Sequence, residues 1–275
     1  MVHAVLSLAK KEFMDNCRNK WIIVISAIFV ISTLLASYFG SHGQAGWRNL
    51  RVTIGVMSFF VVLLITIIGL MLGYAAIVGE KERGSLGLLI ALPLTRNEIL
   101  LGKFLGLGAV LSTAILIGFG VSGIIISLNI ENAAWMNYLI FIGASLLLGL
   151  VYLAIALFIS SFFNKRSTAM GSAIFLWFFF NIIWILFIGP ALLFFIGLEN
   201  PDLYYAINIV NPTAAYSGLI ELSVSPAVSP AVEMGGRNGP SYPFFYNSGV
   251  MVTVLLAWII ISLALSLWFF KRKDI

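Results

Sequence analysis

Along most of this chain the apolar residues neither alternate with polar ones nor recur at helical spacing. They run together in long blocks, at 21–39, 52–78, 100–128, 136–163, 168–189 and 248–269. A block of ~20 apolar residues, rising 1.5 Å per residue as a helix, crosses ~30 Å of hydrocarbon, and Trp or Tyr stands near several of the ends. The pattern predicts an all-α integral membrane protein with six transmembrane helices in one domain over 21–275. Residues 1–20 differ. Val2, Val5, Leu6, Ala9, Phe13 and Cys17 recur at helical spacing, with Lys10, Lys11, Asp15 and Arg18 elsewhere. This predicts an amphipathic helix lying along the membrane surface, against the alternative of a solvated basic tail.

Polar information concentrates between the second and third blocks, in "GEKERGSLGLLIALPLTRNEILLGKFLG". Gly84 and Pro93 bracket Ser85 to Leu92, enough for about two helical turns behind a Ser N-cap. Thr95 and Glu98 then form a capping box with Leu94 and Ile99 as its staple, so a new helix starts at Thr95 and runs into the third span. A short apolar helix facing water needs a cover. A soluble partner would supply one, with the charged run Glu80, Lys81, Glu82 and Arg83 offering charge complementarity; lipid headgroups are the other candidate.

The long connection 199–247 holds six of the eight prolines and the tract "SPAVSPAV". Segments 191–198 and 203–220 are apolar enough to dip back into the membrane as short helices beyond Pro190, which is expected to end the fifth span. Residues 223–243 read as a connector.

Composition agrees with a bilayer as solvent: 61% of residues are hydrophobic, 10% charged, against ~25% charged in soluble domains. The net charge of +5 does not point to nucleic acid, because the charges flank the spans. Lys10, Lys11, Arg18, Lys20, Lys81, Arg83, Arg96, Lys103, Lys165, Arg166, Lys271, Arg272 and Lys273 share one side. Only Arg48, Arg51 and Arg237 fall on the other. The positive-inside rule then places both termini in the cytoplasm of a multi-pass inner-membrane protein.

What is missing narrows the chemistry. Around Gly102-Lys103, Asn97 occupies the first glycine position of a P-loop and Phe104 the hydroxyl position, so no nucleotide site or catalytic residue is expected. Two histidines and one cysteine, Cys17, read as packing, provide no metal cage. No charge lies deep in a span, which disfavours a stand-alone ion-coupled carrier. The polar or soft residues inside spans are few. Met57 and Met71 share a helix face, where packing competes with a soft-metal path. Thr66 and Tyr74 in the second span and Asn181 in the fifth make up the buried polar inventory; Asn181 is read chiefly as hydrogen-bonding a neighbouring helix, and Met57, Thr66, Met71 and Asn181 are the candidates for a substrate path. The spacings Gly69/Gly73 and Gly102/Gly106 permit close helix approach, within the chain or at a dimer seam.

The order Glu, Gly, several Leu, Pro, Thr-Arg and Gly-Lys resembles the coupling region of ABC type-2 permeases, and "KKEF", "RNKW" and the six spans extend the likeness over nearly the whole chain. The resemblance implies a membrane permease without its own enzymatic activity. Its short cytoplasmic coupling helix, within 80–98, docks into a separate ATPase subunit that holds ATP and Mg. The docking residues it implies are Glu80, Glu82, Arg83, Ser85, Leu86, Leu88, Leu89, Thr95 and Arg96. A second permease copy, as a homodimer, an extracytoplasmic partner and membrane lipid complete the expected company. Within the family, "YAAIVGEKERGSL", "LLGKFLG" and "NPT" look most like the NosY-type permeases, which serve copper-site maturation of nitrous oxide reductase. Ala214 and Ala215 after "NPT" depart from that pattern. An exporter of small hydrophobic compounds or drugs, and a scaffold that transmits ATPase motion without moving solute, remain the alternatives.

Overall fold

The computed structural model describes residues 2–17, 50–84, 94–127, 135–197, 199–224 and 242–272, and scattered helical residues between 27 and 35. Most of the first expected span, the Cys17 side chain, the segment 85–93 and the tract 225–241 lie outside the described residues.

Every described element is helical: α1 Val2–Cys17, α2 Leu50–Gly73, α3 Val78–Glu82, α4 Arg96–Ser127, α5 Trp135–Phe162, α6 Arg166–Gly197, α7 Pro201–Asn208, α8 Pro212–Ser223 and α9 Ser248–Arg272. Five of the six expected spans fall on helices long and apolar enough to cross a bilayer, with α2 and α3 counted as one. Their outer surfaces are apolar too: Phe175, Phe187, Phe195, Met136 and Ile260 all face outward. In water such a surface would be a large exposed patch; in lipid it is the solvated face.

Helix α5 is the centre, with α2, α4, α6, α8 and α9 packed around it. Two glycines bring α2 against it: a Cβ at Gly69 would stand 3.0 Å from the Gly149 carbonyl oxygen, and one at Gly73 would stand 2.6 Å from Ala156 Cβ. At the same end of the bundle α1 crosses α4. There a Cβ at Gly102 would meet Leu8, and one at Gly106 would lie 2.7 Å from the backbone oxygen of Ala9. Both glycine pairs therefore serve contacts within the chain.

Pro190 does not end the fifth span. Helix α6 passes through it and continues to Gly197. The turns before it are π-helical over Phe179–Ile188, and Gly189 N–H reaches the Trp184 carbonyl five residues back. A proline breaks an α-helix because its ring meets the carbonyl four residues earlier; the wider turn offsets that carbonyl, and the missing donor costs one bond only.

After α6 the chain turns inward. Asn211 caps α8, its side chain accepting from Thr213 N–H at 2.8 Å, with Pro212 in the first turn. The start of α8 is bonded to Tyr152, ten residues before the end of α5 at Phe162. At 1.5 Å per residue that is ~15 Å, half the thickness of a hydrocarbon core. The α7–α8 pair therefore reaches the middle of the bundle.

Candidate functional site

The charged run after α2 is tied into the bundle on three sides. Helix α2 stops at Gly73, and the break leaves the amides of Ile77 and Val78 without helical acceptors. Ser160 of α5 receives both on one hydroxyl oxygen, at 2.9 and 3.1 Å. Glu80 of α3 then accepts a hydrogen bond from Lys103 of α4 at 2.7 Å, and Glu12 of α1 accepts another from the same ammonium, also at 2.7 Å. Lys103 is 1% exposed, so a cation that the sequence places at a helix end is enclosed between two carboxylates. Glu82 accepts from the backbone N–H of Arg166 at 2.7 Å, which places a negative charge at the N-terminus of α6. Lys81 donates to Asn164 in the turn before it. Gly84 follows with φ of 72°, a left-handed C-terminal stop for α3 that a side chain would strain.

The segment expected to dock thus divides. Ser85, Leu86, Leu88 and Leu89 lie outside the described residues. Glu80 and Glu82 are engaged inside the chain, while Arg83 is exposed. Thr95 forms the expected capping box: Glu98 accepts from Thr95 N–H and from its hydroxyl, both at 2.8 Å. Arg96 donates to the Lys271 carbonyl oxygen at 2.8 Å and to that of Phe270, covering the C-terminal carbonyls of α9 with a cation.

Deeper in the bundle lies a second polar cluster. Tyr152, Thr213 and Asn181 are linked in series, hydroxyl to hydroxyl at 2.6 Å and hydroxyl to amide oxygen at 3.2 Å. Asn211 donates to the Phe180 carbonyl oxygen at 2.9 Å. All four side chains are buried. They join α5, α6 and α8 at mid-depth, where an unbonded polar group would cost several kcal/mol.

Of the four candidates for a substrate path, Thr66 and Asn181 are both hydrogen-bonded to Trp177, while the two methionines pack in the apolar core. Met57 is buried among apolar side chains, and Met71 packs on the same core. Thr66 accepts from the Trp177 indole at 3.0 Å, joining α2 to α6, while Asn181 belongs to the cluster just described. The residues that sequence reading passed over are Glu12 and Lys103, a pair 91 positions apart, and Asn211. Only Asn211 carried a local signal, an Asn-Pro step that marks helix starts.

A family model of ABC-2 family transporter proteins matches residues 6–275. The chain belongs to that family. It is 36% identical over 281 residues to a protein described as probable ABC transporter permease protein NosY from Stutzerimonas stutzeri, covering 99% of each chain. A protein of the same description from Pseudomonas aeruginosa is 36% identical over 277 residues, covering 98% of this chain and 99% of the relative. The chain is therefore a transmembrane permease subunit of an ABC transporter. In this permease α3 stands immediately before the segment 85–93, joined to α1 and α4 by the Lys103 cluster, to α5 by Ser160 and to α6 by Glu82.

Proposed function

We propose that the permease takes its drive from a separate ATPase subunit docked on residues 85–93, and that α3 carries the displacement into the bundle. The carrying observation is the anchoring of α3 just described: through Glu80 to Lys103 and Glu12, through Ser160 to α5, and through Glu82 to α6. A helix of one turn held at three points moves with its neighbours, so a push on the next residues would be delivered to several spans at once.

The end bearing the Lys103 cluster is the cytoplasmic one in this reading. It gathers Lys81, Arg83, Arg96, Lys103, Lys165, Arg166, Lys271 and Arg272, in keeping with the positive-inside rule. Helix α1 lies at the membrane surface there, and α7–α8 re-enters from the opposite side. Two copies form the working unit, and ATP with Mg is held by the ATPase. The likeness to both NosY permeases and the motifs "YAAIVGEKERGSL" and "LLGKFLG" favour a NosY-type role, serving copper-site maturation of nitrous oxide reductase.

Leu88→Asp tests the docking. An aspartate in an apolar cleft is left unpaired, and each buried Leu contributes ~1.5–3 kcal/mol, so recovery of the ATPase with the affinity-purified permease should fall ~tenfold or more while insertion is unchanged. Glu82→Lys is a poor probe, because it also removes the cap of α6. Recovery of the ATPase at the wild-type level with Leu88→Asp would reject 85–93 as the docking element.

A further inference from the structure

At the end of the bundle opposite Lys103, α6, α7, α8 and the approach to α9 line an open-sided cavity of about 450 Å³. That volume lies within the ~300–1,000 Å³ range of small-molecule sites. Its wall contains Trp184, Tyr204 and Tyr246 as aromatic members, Glu221 as the carboxylate, and Asn208 and Ser217 as neutral polar groups. Among the described residues no Lys, Arg or His lines it. Glu221 takes part in neither of the ion pairs that Lys103 makes with Glu12 and Glu80.

The wall is built rather than incidental. Tyr242 donates its hydroxyl hydrogen to Glu221 at 2.6 Å, orienting the carboxylate. Tyr246 is stacked on Tyr242 with centroids 4.9 Å apart and rings 13° from parallel, and Tyr205 closes on Tyr246 at 4.8 Å. Trp184 is held by its indole N–H on Asn208 at 2.9 Å. Burial first, and the charge of Glu221 second, raise the phenol pKa values of Tyr204, Tyr205 and Tyr246, so these rings stay neutral. One anionic group among neutral aromatic side chains is the chemistry that recognises organic cations: ring quadrupoles attract a diffuse positive charge, and the carboxylate supplies the long-range term.

We propose that this cavity binds a compact organic ammonium group, with Glu221 as counter-ion and Tyr204, Tyr246 and Trp184 as the aromatic wall. The site goes beyond the permease reading above, since it requires neither ATP nor the ATPase. An ammonium could arrive on a free solute or as the headgroup of a phospholipid, whose ethanolamine carries the same chemistry at the depth of the helix ends.

The test is titration calorimetry of choline and of tetramethylammonium into the full-length permease in nanodiscs made only of phosphatidylglycerol. Saturable binding is expected, weakened ~tenfold or more by Glu221→Gln and by Tyr204→Leu, and retained by Tyr204→Phe, which keeps the ring. Wild-type thermal unfolding of each variant shows that the loss is local. Repeating the titration in discs containing phosphatidylethanolamine separates the sources: suppressed choline binding identifies the lipid headgroup, and unchanged binding identifies a free solute. No saturable binding by the wild type, undiminished binding by Glu221→Gln, or displacement by potassium as effective as by tetramethylammonium would each overturn the proposal. None of these results bears on whether 85–93 docks an ATPase.

Discussion

Lys103 shows how far one side chain's role depends on what surrounds it. By position it is one of several cations near a span end, where a lysine ordinarily reaches out to water or headgroups. Instead it is enclosed, with Glu12 and Glu80 each 2.7 Å away. Removing one member of a buried charge cluster leaves the others uncompensated, at a cost of ~3–5 kcal/mol. Lys103→Met should therefore lower the unfolding temperature of the detergent-solubilised permease by several degrees. The triple change Lys103→Met, Glu12→Gln and Glu80→Gln should recover most of it, since no charge is then buried. A triple variant as unstable as the single one would show that the cluster acts through packing and not through charge balance. The partners were not legible along the chain, because charge complementarity over 91 positions has no periodic signature. Thr95 and Glu98, three residues apart, were legible for the opposite reason: a capping box is closed by local geometry alone.

At the scale of elements, the glycine spacings announced close approaches without saying to what. Gly102 and Gly106 form the track on which α1 lies, and the two positions should differ. A methyl at Gly102 meets the flexible side chain of Leu8, while one at Gly106 lies 2.6 Å from Glu12 Cβ and 2.7 Å from the Ala9 backbone oxygen. Backbone cannot move aside as a rotamer can, so overpacking at Gly106 should cost ~1–3 kcal/mol and loosen α1. Limited trypsin digestion at Lys10 and Lys11 should be faster for Gly106→Ala than for Gly102→Ala. Equal rates would reject the close approach as what holds α1. Pro190 teaches the converse lesson. Its usual meaning as a helix stop presumes an α-helical register before it, and the π-helical turns of Phe179–Ile188 remove that premise.

For the whole molecule, the bundle brings many of the basic residues to the Lys103 end, and the positive-inside rule then predicts one orientation. The Lys103 end, with Arg96 on the last carbonyls of α9 and Glu82 on the first amide of α6, should face the cytoplasm. Single cysteines at Ser85 and Ser229, in a background with Cys17 replaced, should then react differently with a membrane-impermeant maleimide applied to intact cells: Ser229→Cys labels and Ser85→Cys does not. Labelling at position 85 would invert the topology and with it the assignment of the docking face.

Sequence alone determined the solvent, the helical class and, for the described spans apart from the far end of the fifth, where each begins and ends to within a few residues. Those properties rest on uninterrupted apolar runs, and a helix in lipid must satisfy its own backbone whatever its neighbours do. The same holds for Thr95, whose capping bonds to Glu98 lie within three residues. Tertiary structure decided which polar groups meet: Tyr152 with Thr213 and Asn181, Lys103 with Glu12 and Glu80, Glu221 with Tyr242. Those pairings depend on helix rotation and depth, and both are set by the packing of residues such as Gly73 on Ala156, which act between helices and leave no trace in the hydropathy of either one.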